Sequence, residues 1–311
     1  MKTKKKKYRI SNWKEYNQSL INRGSINLWI EDNLEDKWYD KTSNLPGRQR
    51  IYSDFAIETV LTLGKVFNQR LRQTTGLVKS LFKSMKIDLP VPDYSTLSRR
   101  AGNIKVNIPI IPKGTVNFIV DSSGIKIYGE GEWKVRKHGY TKRRTWRKFH
   151  ISIDSDGEIR TAELTENSIA DCHALEDLIK QEESKIENVY ADGAYDKENV
   201  YQIAKEKGVK NFMIPPQKNA KIKQHGNCKK EPHPRDENLR EIRKATRKQW
   251  KINSGYHKRS LSENTMFRFK TIIGDKLNAR KFENQKTEFL IGISILNKMF
   301  NNGMPISYSV E

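Results

Sequence analysis

Cysteine, long apolar runs and acidic charge are all scarce in this chain, and each shortage excludes a class of protein. Two cysteines among 311 residues, Cys172 and Cys228, cannot build a disulfide framework, so we expect reduced thiols in a reducing compartment. No apolar stretch approaches the roughly 18 to 20 residues that span a bilayer. The lysine-rich start also lacks the hydrophobic segment of a signal peptide. These absences predict a cytoplasmic location with no membrane partner.

Acids are the minority charge, with 37 Asp and Glu against 59 Lys and Arg, and the formal net charge is +22. A surface of this charge attracts polyanions, and the resulting binding to nucleic acid is fast and strongly salt-dependent. The content of hydrophobic residues, 35%, is enough for a genuine core. Composition therefore favours a globular nucleic-acid-binding protein, and it leaves open a basic structural protein of the ribosomal kind.

The N-terminal third of the chain predicts helices, and the absence of a fixed-period repeat excludes a solenoid. Ser53 offers an N-cap to the apolar run at 55–63, and a second amphipathic segment follows at 77–85. A proline-containing connector occupies 106–114. We therefore expect residues 1–110 to form a mainly helical, basic region.

A short third helix is predicted in this region. Asp93 or Ser95 is placed to cap it, and it carries Arg99 and Arg100. Together with the two preceding helices it resembles a helix-turn-helix, in which a polar third helix contacts DNA. A solvated helical face accounts for the same residues equally well, and the two interpretations stay open.

The pattern changes to β-prone runs from Val116 onward. Residues 118–121 predict a buried strand that ends at an acid, and a hairpin follows around Ser155-Asp156-Gly157. The remaining predicted elements are a helix at 171–183, a strand at 188–193, a helix at 197–207 and a strand at 211–215.

This order of elements predicts an α/β fold with a mixed sheet covered by helices, whose first three strands are antiparallel. It matches a ribonuclease H-like catalytic core. We assign this core to residues 111–300 and expect a short tail at 301–311.

Asp121 and Asp192 each follow an apolar strand, and such strand ends gather at one edge of a sheet. Two acids there can share Mg²⁺ or Mn²⁺, which prefer hard oxygen ligands. Two such ions roughly 4 Å apart generate a nucleophile and stabilise the leaving oxygen of a phosphodiester. Solvated turn acids are the alternative interpretation of this pair.

A third acid belongs to a polar helical stripe formed by Tyr256, Arg259, Glu263 and Lys270, which are three, four and seven residues apart. A neighbouring apolar stripe packs the helix on the sheet, and its members are Met266, Phe269 and Ile273. In this position Glu263 can complete a metal site, Arg259 and Lys270 face phosphates, and Tyr256 contacts backbone or base. An exposed helix with an Arg259–Glu263 ion pair is the alternative.

Two basic segments are candidate DNA contacts. Between Trp133 and Phe149 the chain has no acid and is predicted to form a phosphate track near Asp121. The basic residues of this track are Lys134, Arg136, Lys137, Lys142, Arg143, Arg144, Arg147 and Lys148. The second segment, 236–250, predicts one basic helix whose cationic face holds Arg240, Arg243, Lys244, Arg247 and Lys248.

The spacing Tyr-x2-Arg-x3-Glu-x6-Lys, together with stretches such as Val120–Gly124 and Ala191–Tyr195, resembles the DDE transposases of bacterial insertion sequences. The likeness extends over nearly the whole chain. It implies that Asp121, Asp192 and Glu263 are a catalytic, metal-binding triad and that transposon ends are the substrate.

The activity expected from this resemblance is cleavage of transposon ends followed by joining of the freed 3′-hydroxyls to target DNA. The expected cofactor is two Mg²⁺ ions, for which Mn²⁺ substitutes, and the expected partners are double-stranded DNA and a second copy of the chain. The reaction is expected at the bacterial nucleoid. Two other functions stay open, namely a non-catalytic DNA-binding repressor and a plain ribonuclease H-like nuclease.

Overall fold

The computed structural model describes residues 7–41, 51–127, 146–224, 229 and 231–310, and its contacts divide the chain into two compact units. The first unit combines residues 1–109 with 291–311, and the second comprises 110–290. The C-terminal segment, expected as a separate tail, groups with the first unit because strand Ser307–Val310 pairs antiparallel with strand Lys7–Ile10. Among the described residues, no helix is both long and apolar enough to cross a membrane.

Helices dominate the first unit. In chain order they are α1 (Trp13–Asn22), α2 (Leu34–Trp38), α3 (Asp54–Val66), α4 (Leu71–Met85) and α5 (Tyr94–Arg100), and the paired strands are β1 (Lys7–Ile10) and β8 (Ser307–Val310). Ser53 caps α3 by accepting a hydrogen bond from the Ala56 N–H, and Asp93 caps α5 by accepting one from the Ser95 N–H. The predicted caps and the three predicted helices are therefore confirmed.

Buried aromatic and small residues pack these helices together. Trp38 is fully buried, its ring centroid lies 5.3 Å from that of Phe82, and its indole N–H donates to the Pro90 carbonyl at 2.8 Å. At Gly64 of α3, an added Cβ would lie only 2.5 Å from Thr74 Oγ1 on α4. The close approach of α3 and α4 therefore depends on glycine at this position.

Six strands among the described residues form the sheet of the second unit. They are β2 (Thr115–Ile127), β3 (Trp146–Ile153), β4 (Ile159–Glu166), β5 (Lys185–Tyr190), β6 (Asn211–Met213) and β7 (Lys276–Leu277). Their order is β4-β3-β2-β5-β6, and β7 also pairs with β2. β2, β3 and β4 pair antiparallel, whereas β5 and β6 extend the sheet in parallel. The predicted mixed sheet and its antiparallel part are confirmed.

Helices cover both faces of this sheet. They are α6 (Asp171–Gln181), α7 (Glu198–Glu206), α8 (Pro234–Lys244), α9 (Arg247–Asn253), α10 (Ser260–Ile272) and α11 (Phe282–Asn301), of which only the part up to residue 290 belongs to this unit. Because strand residues alternate between faces, Phe118 and Val120 of β2 join a core cluster with Leu175 of α6. On the opposite face, the Phe149 ring of β3 lies 5.4 Å from that of Phe269 and 5.5 Å from that of Phe289.

The predicted single basic helix at 236–250 is wrong. Ala245 ends α8 with backbone angles φ −109° and ψ −107°, which no helix adopts. The Thr246 side chain then accepts a hydrogen bond from the Gln249 N–H at 3.1 Å and caps α9. A capping threonine in the middle of the segment therefore divides its cationic residues between two short helices.

Candidate active site

The two aspartates of the predicted triad both lie where β2 and β5 separate. The last parallel pair is Ile119 with Tyr190, and Asp121 and Asp192 each follow that pair by two residues along their own strands. The prediction that the strand ends at Asp121 is wrong, because β2 continues to Ile127 through its pairing with β3. What ends before Asp121 is the pairing with β5, and this opens the sheet edge beside the acid.

Backbone and side-chain donors hold the Asp121 carboxylate. Its Oδ1 accepts a hydrogen bond from the Ser122 N–H at 2.9 Å, and its Oδ2 accepts from Ser262 Oγ at 3.2 Å. Burial raises the pKa of Asp121 and the negative charge of Asp192 adds to this rise, while these hydrogen bonds and Arg259 oppose it. A second carboxylate is therefore close enough to act on Asp121 electrostatically.

The Asp192 carboxylate is fixed by the turn that follows it. Its Oδ1 accepts a hydrogen bond from the Ala194 N–H at 2.8 Å and so caps the 3-10 turn Gly193–Tyr195. Tyr195, at the end of that turn, is buried in the core cluster. The turn that holds the Asp192 carboxylate is therefore anchored to the buried core by Tyr195.

The third acid faces this pair from a helix. Gly255, with φ +66°, starts a 3-10 turn at Tyr256–Arg259, and α10 begins only at Ser260. The prediction of one continuous helical stripe is therefore wrong for Tyr256 and Arg259, which belong to the turn. Glu263 is helical, as predicted, and lies in the first turn of α10.

Arg259 joins Glu263 to the aspartate pair. Its Nη1 donates to Asp121 Oδ2 at 2.8 Å, and its Nη2 bonds Glu263 Oε1. The i,i+4 ion pair that formed the alternative interpretation is present, and the same guanidinium also reaches β2. One cation therefore binds both Glu263 of the helix and Asp121 of the strand.

Lys270 and Tyr256 also lie near the acids of the site. The Lys270 ammonium donates to Ser123 Oγ at 2.7 Å, two residues beyond Asp121 on β2. Burial raises the pKa of Tyr256, and Arg259 opposes that rise while the charge of Asp192 adds to it. All four residues of the predicted polar stripe therefore lie close to the aspartates.

A divalent cation fits the chemistry of these donors. Asp121, Asp192 and Glu263 supply carboxylate oxygens, the ligands that Mg²⁺ and Mn²⁺ prefer. Two of these carboxylates already share one cation, the Arg259 guanidinium. In the part of the chain that the structure describes, no three His, Cys, Asp or Glu side chains are drawn close enough together to hold one metal ion.

The other predicted DNA contacts have mixed outcomes. Arg136, Lys137, Arg143 and Arg144 lie outside the described residues. Arg147 is described, and its Nε donates to Gln285 Oε1 at 3.0 Å while its guanidinium lies 4.8 Å from the centroid of the Phe282 ring. The structure thus gives Arg147 protein partners on α11.

The two arginines of α5 differ from each other. Arg100 Nη1 donates to the Tyr52 carbonyl at 2.8 Å, and Arg100 Nη2 forms an ion pair with Asp54. Arg99 is exposed. Arg100 therefore links α5 to the start of α3, whereas Arg99 faces solvent.

Sequence reasoning missed Ser262, whose single hydroxyl proton is shared between the Arg259 carbonyl, at 2.6 Å, and the more distant Asp121 carboxylate. A serine in the first turn of a helix is common because its hydroxyl bonds nearby backbone groups. Its position beside Glu263 was the one available signal, and it does not distinguish a site residue from a helix-end residue.

A mixed sheet that carries two acids at its opening edge, faced by a helix with a third acid and Lys270 and by Arg259 in the turn before that helix, is consistent with the ribonuclease H-like domain of a DNA-processing enzyme. Two family models, both described as "Transposase DDE domain", match residues 21–130 and 112–298. The second match covers more than half of the chain, and the chain therefore belongs to the DDE transposase family. No solved structure matches it.

Proposed function

We propose that this DDE transposase serves a bacterial insertion sequence: it binds the terminal inverted repeats, cleaves the transposon ends and joins the freed 3′-hydroxyls to target DNA. The observation that carries the proposal is the Arg259 bridge between Asp121 and Glu263, with Asp192 beside it. Acids from a strand and from a helix, distant in sequence, bind the same guanidinium at the sheet edge.

Asp121, Asp192 and Glu263 are the proposed ligands of two Mg²⁺ ions, which Mn²⁺ can replace. When bound, such ions activate a water or hydroxyl and stabilise charge on the phosphodiester. The Ser122 and Ala194 N–H groups orient the two aspartates, so these ligands are set before substrate arrives. Glu263 is the adjustable member, because 56% of its side chain is exposed.

Arg259, Lys270 and Tyr256 are the proposed contacts to the reacting DNA strand. Arg259 has a planar fork of donors that matches a phosphate, and Lys270, bonded to Ser123 two residues beyond Asp121, adds a second positive charge. Tyr256 presents a half-buried ring beside them. These groups hold the scissile phosphate and neutralise charge that develops on it.

Recognition of the ends is assigned to the first unit and to the basic segments. The exposed Arg99 of α5 is the proposed base or phosphate contact in a helix-turn-helix-like region. Arg136, Lys137, Arg143 and Arg144 are proposed to follow the phosphates near the acids. Because two ends must be joined in one event, we propose a homodimer on double-stranded DNA, at the nucleoid.

The test is to incubate the full-length protein and Mg²⁺ with DNA flanked by candidate inverted repeats, and to sequence every joined product. Joints that start at the repeat ends support transposition, and Asp121→Asn should remove them. Binding to the ends without nicking, in Mg²⁺ or Mn²⁺, identifies a DNA-binding repressor instead. Cleavage that ignores the ends and yields no joints identifies a plain nuclease.

A further inference from the structure

A polar cluster lies behind β2, on the face opposite Asp121. Alternate strand residues point to opposite faces, so Ser122 and its cross-strand partner His150 face away from Asp121. Asp171, at the start of α6, places Oδ1 3.8 Å from His150 Nδ1. Tyr195 is buried against the same face, in the apolar cluster that contains Val120. The rear cluster consists of His150, Asp171 and Tyr195.

His150 is neutral, and only one of its two ring nitrogens has a hydrogen-bond partner among the described residues. Burial lowers its pKa to about 4, Asp171 acts against this and Lys148 adds to it. Its Nε2 lies 2.9 Å from Thr165 Oγ1, which accounts for one ring nitrogen. The other, Nδ1, is buried and has no hydrogen-bond partner among the described residues, since 3.8 Å to Asp171 is too long.

Tyr195 is the second residue of the rear cluster with an unsatisfied polar atom. Its side chain is 1% exposed, and no hydrogen bond of ordinary geometry reaches its hydroxyl within the described ranges. Burial raises the pKa of Tyr195 well above its usual value, and the charges of Asp171 and then Asp121 add to the rise, while a side-chain contact with the Ser122 hydroxyl, outside the geometry of an ordinary hydrogen bond, opposes it. The hydroxyl therefore stays protonated and lies within electrostatic reach of both acids.

His150 Nδ1 and Tyr195 Oη are two buried polar atoms without a hydrogen bond of ordinary geometry, and the Asp171 carboxylate acts on both residues. Leaving such groups unpaired costs about 1–3 kcal/mol each, and internal water commonly satisfies them with about three hydrogen bonds. Asp171 Oδ1 is 2.8 Å from the Lys148 ammonium and, as a carboxylate oxygen, can accept a further bond.

We propose that His150 Nδ1, Asp171 Oδ1 and Tyr195 Oη hold one internal water, and that this hydrogen-bonded unit positions Asp121 and Asp192 for their ligand role. The positioning role rests on the proposed function, because it assigns the rear cluster a role in the same site. The three residues are positioning residues, since they act on the front of the sheet through its backbone.

The backbone provides the connection. The N–H that holds Asp121 belongs to Ser122, which lies directly opposite His150 in the strand pairing. The N–H that holds Asp192 belongs to Ala194, the residue before Tyr195. Both donors therefore lie in segments anchored by the rear cluster, and loosening the cluster shifts both carboxylates together.

Tyr195→Phe tests this inference, because it removes the hydroxyl and keeps the buried ring. The matched control is Tyr201→Phe, at another buried tyrosine whose hydroxyl donates to Asp196 at 3.0 Å. Asp196 keeps Arg235 Nε at 3.0 Å in that variant, so the turn stays held. High-resolution crystal structures, melting temperatures, Mn²⁺ affinity without DNA, and kcat and KM for end cleavage are measured for all three proteins.

The expected result is a water peak between His150 Nδ1 and Tyr195 Oη in the wild type, lost in Tyr195→Phe together with a shift of both carboxylates. Mn²⁺ affinity and kcat fall by about 10- to 100-fold in that variant, while KM for DNA is unchanged. Tyr201→Phe keeps the carboxylate positions, the affinity and kcat, even if its melting temperature falls equally.

No water peak in the wild type, or unmoved carboxylates with unchanged Mn²⁺ affinity in Tyr195→Phe, overturns the inference. If the wild type neither binds Mn²⁺ nor cleaves ends, the proposed function fails by itself. The crystal structures then decide alone whether the rear cluster positions the two aspartates.

Discussion

Arg259 donates from Nη1 to Oδ2 of Asp121 at 2.8 Å, and its Nη2 bonds Glu263. The guanidinium therefore balances the charge of two proposed metal ligands. A divalent ion that binds these oxygens is repelled by the positive charge of Arg259. Two opposite effects follow for Arg259, because it hinders metal binding in the free protein and binds phosphate in the complex.

We predict that Arg259→Gln binds Mn²⁺ about tenfold more tightly in the absence of DNA, because a unit positive charge next to the ligands is removed. End cleavage falls in the same variant, since the phosphate contact is lost. Calorimetric titration and a cleavage assay measure the two effects, and Arg259→Lys is the charge-retaining control. Weaker Mn²⁺ binding in Arg259→Gln would show that Arg259 supports the metal site.

Lys270 should contribute one phosphate contact. Its ammonium donates to Ser123 Oγ at 2.7 Å, near Asp121, and it forms no salt bridge among the described residues. Lys270→Ala should weaken DNA binding uniformly over sequences and reduce the slope of log affinity against log salt by about 1. Lys180→Ala, on exposed α6 surface paired with Asp177, is the control that should leave the slope unchanged. An unchanged slope in Lys270→Ala would remove Lys270 from the interface.

Substitutions at Arg99 and Arg100 should have different effects, the first on DNA binding and the second on stability. Arg99→Ala should weaken binding to the transposon ends with little change in unfolding free energy, because the side chain is exposed. Arg100→Ala should lower that free energy by about 1–3 kcal/mol, since Tyr52 and Asp54 lose their partner. Gel-shift titration and urea unfolding of both variants provide the comparison. Equal DNA affinity of Arg99→Ala and wild type would favour a merely solvated helical face.

Glu58 should make the first unit sensitive to pH. Burial raises its pKa to about 7, against an ordinary value of 4.5. The fold therefore favours the protonated carboxyl, whose contribution is full below pH 4.5 and is lost as the pH rises through about 7. Relative to wild type, Glu58→Gln should gain about 2 kcal/mol of stability between mildly acidic and mildly alkaline pH, a figure reduced for partial exposure.

Urea unfolding at several pH values measures the effect of Glu58→Gln. Glu35→Gln, on the exposed surface of α2, is the control and should follow the wild-type pH profile. Parallel profiles for Glu58→Gln and wild type would mean that Glu58 titrates as it does in the unfolded chain.

Local chemistry explains which parts of the fold could be predicted. Ser53 and Asp93 cap their helices as their types and positions indicate, and the hairpin forms around Ser155-Asp156-Gly157. These signals act within a few residues. The break between α8 and α9 was equally local, but Thr246 was overlooked because the basic residues around it keep a helical spacing.

Long-range pairing explains what could not be predicted. β2 continues beyond Asp121 because β3 remains its partner, and a single strand carries no sign of how far its neighbour extends. The bond from Ser262 to Asp121 joins residues 141 positions apart. The helical stripe and the likeness to a family together pointed to Glu263, but the bridge through Arg259 required coordinates.

The most direct test of the central claim is Mg²⁺-dependent cleavage of end-containing DNA by Asp121→Asn, Asp192→Asn and Glu263→Gln. Each change removes one carboxylate charge and keeps the side-chain size, so folding and DNA affinity should remain. Since even the supporting residues of metal sites cost about 10- to 100-fold when altered, each variant should lose at least about 100-fold in cleavage rate. Wild-type cleavage by any one of them would contradict the assignment of that residue to the triad.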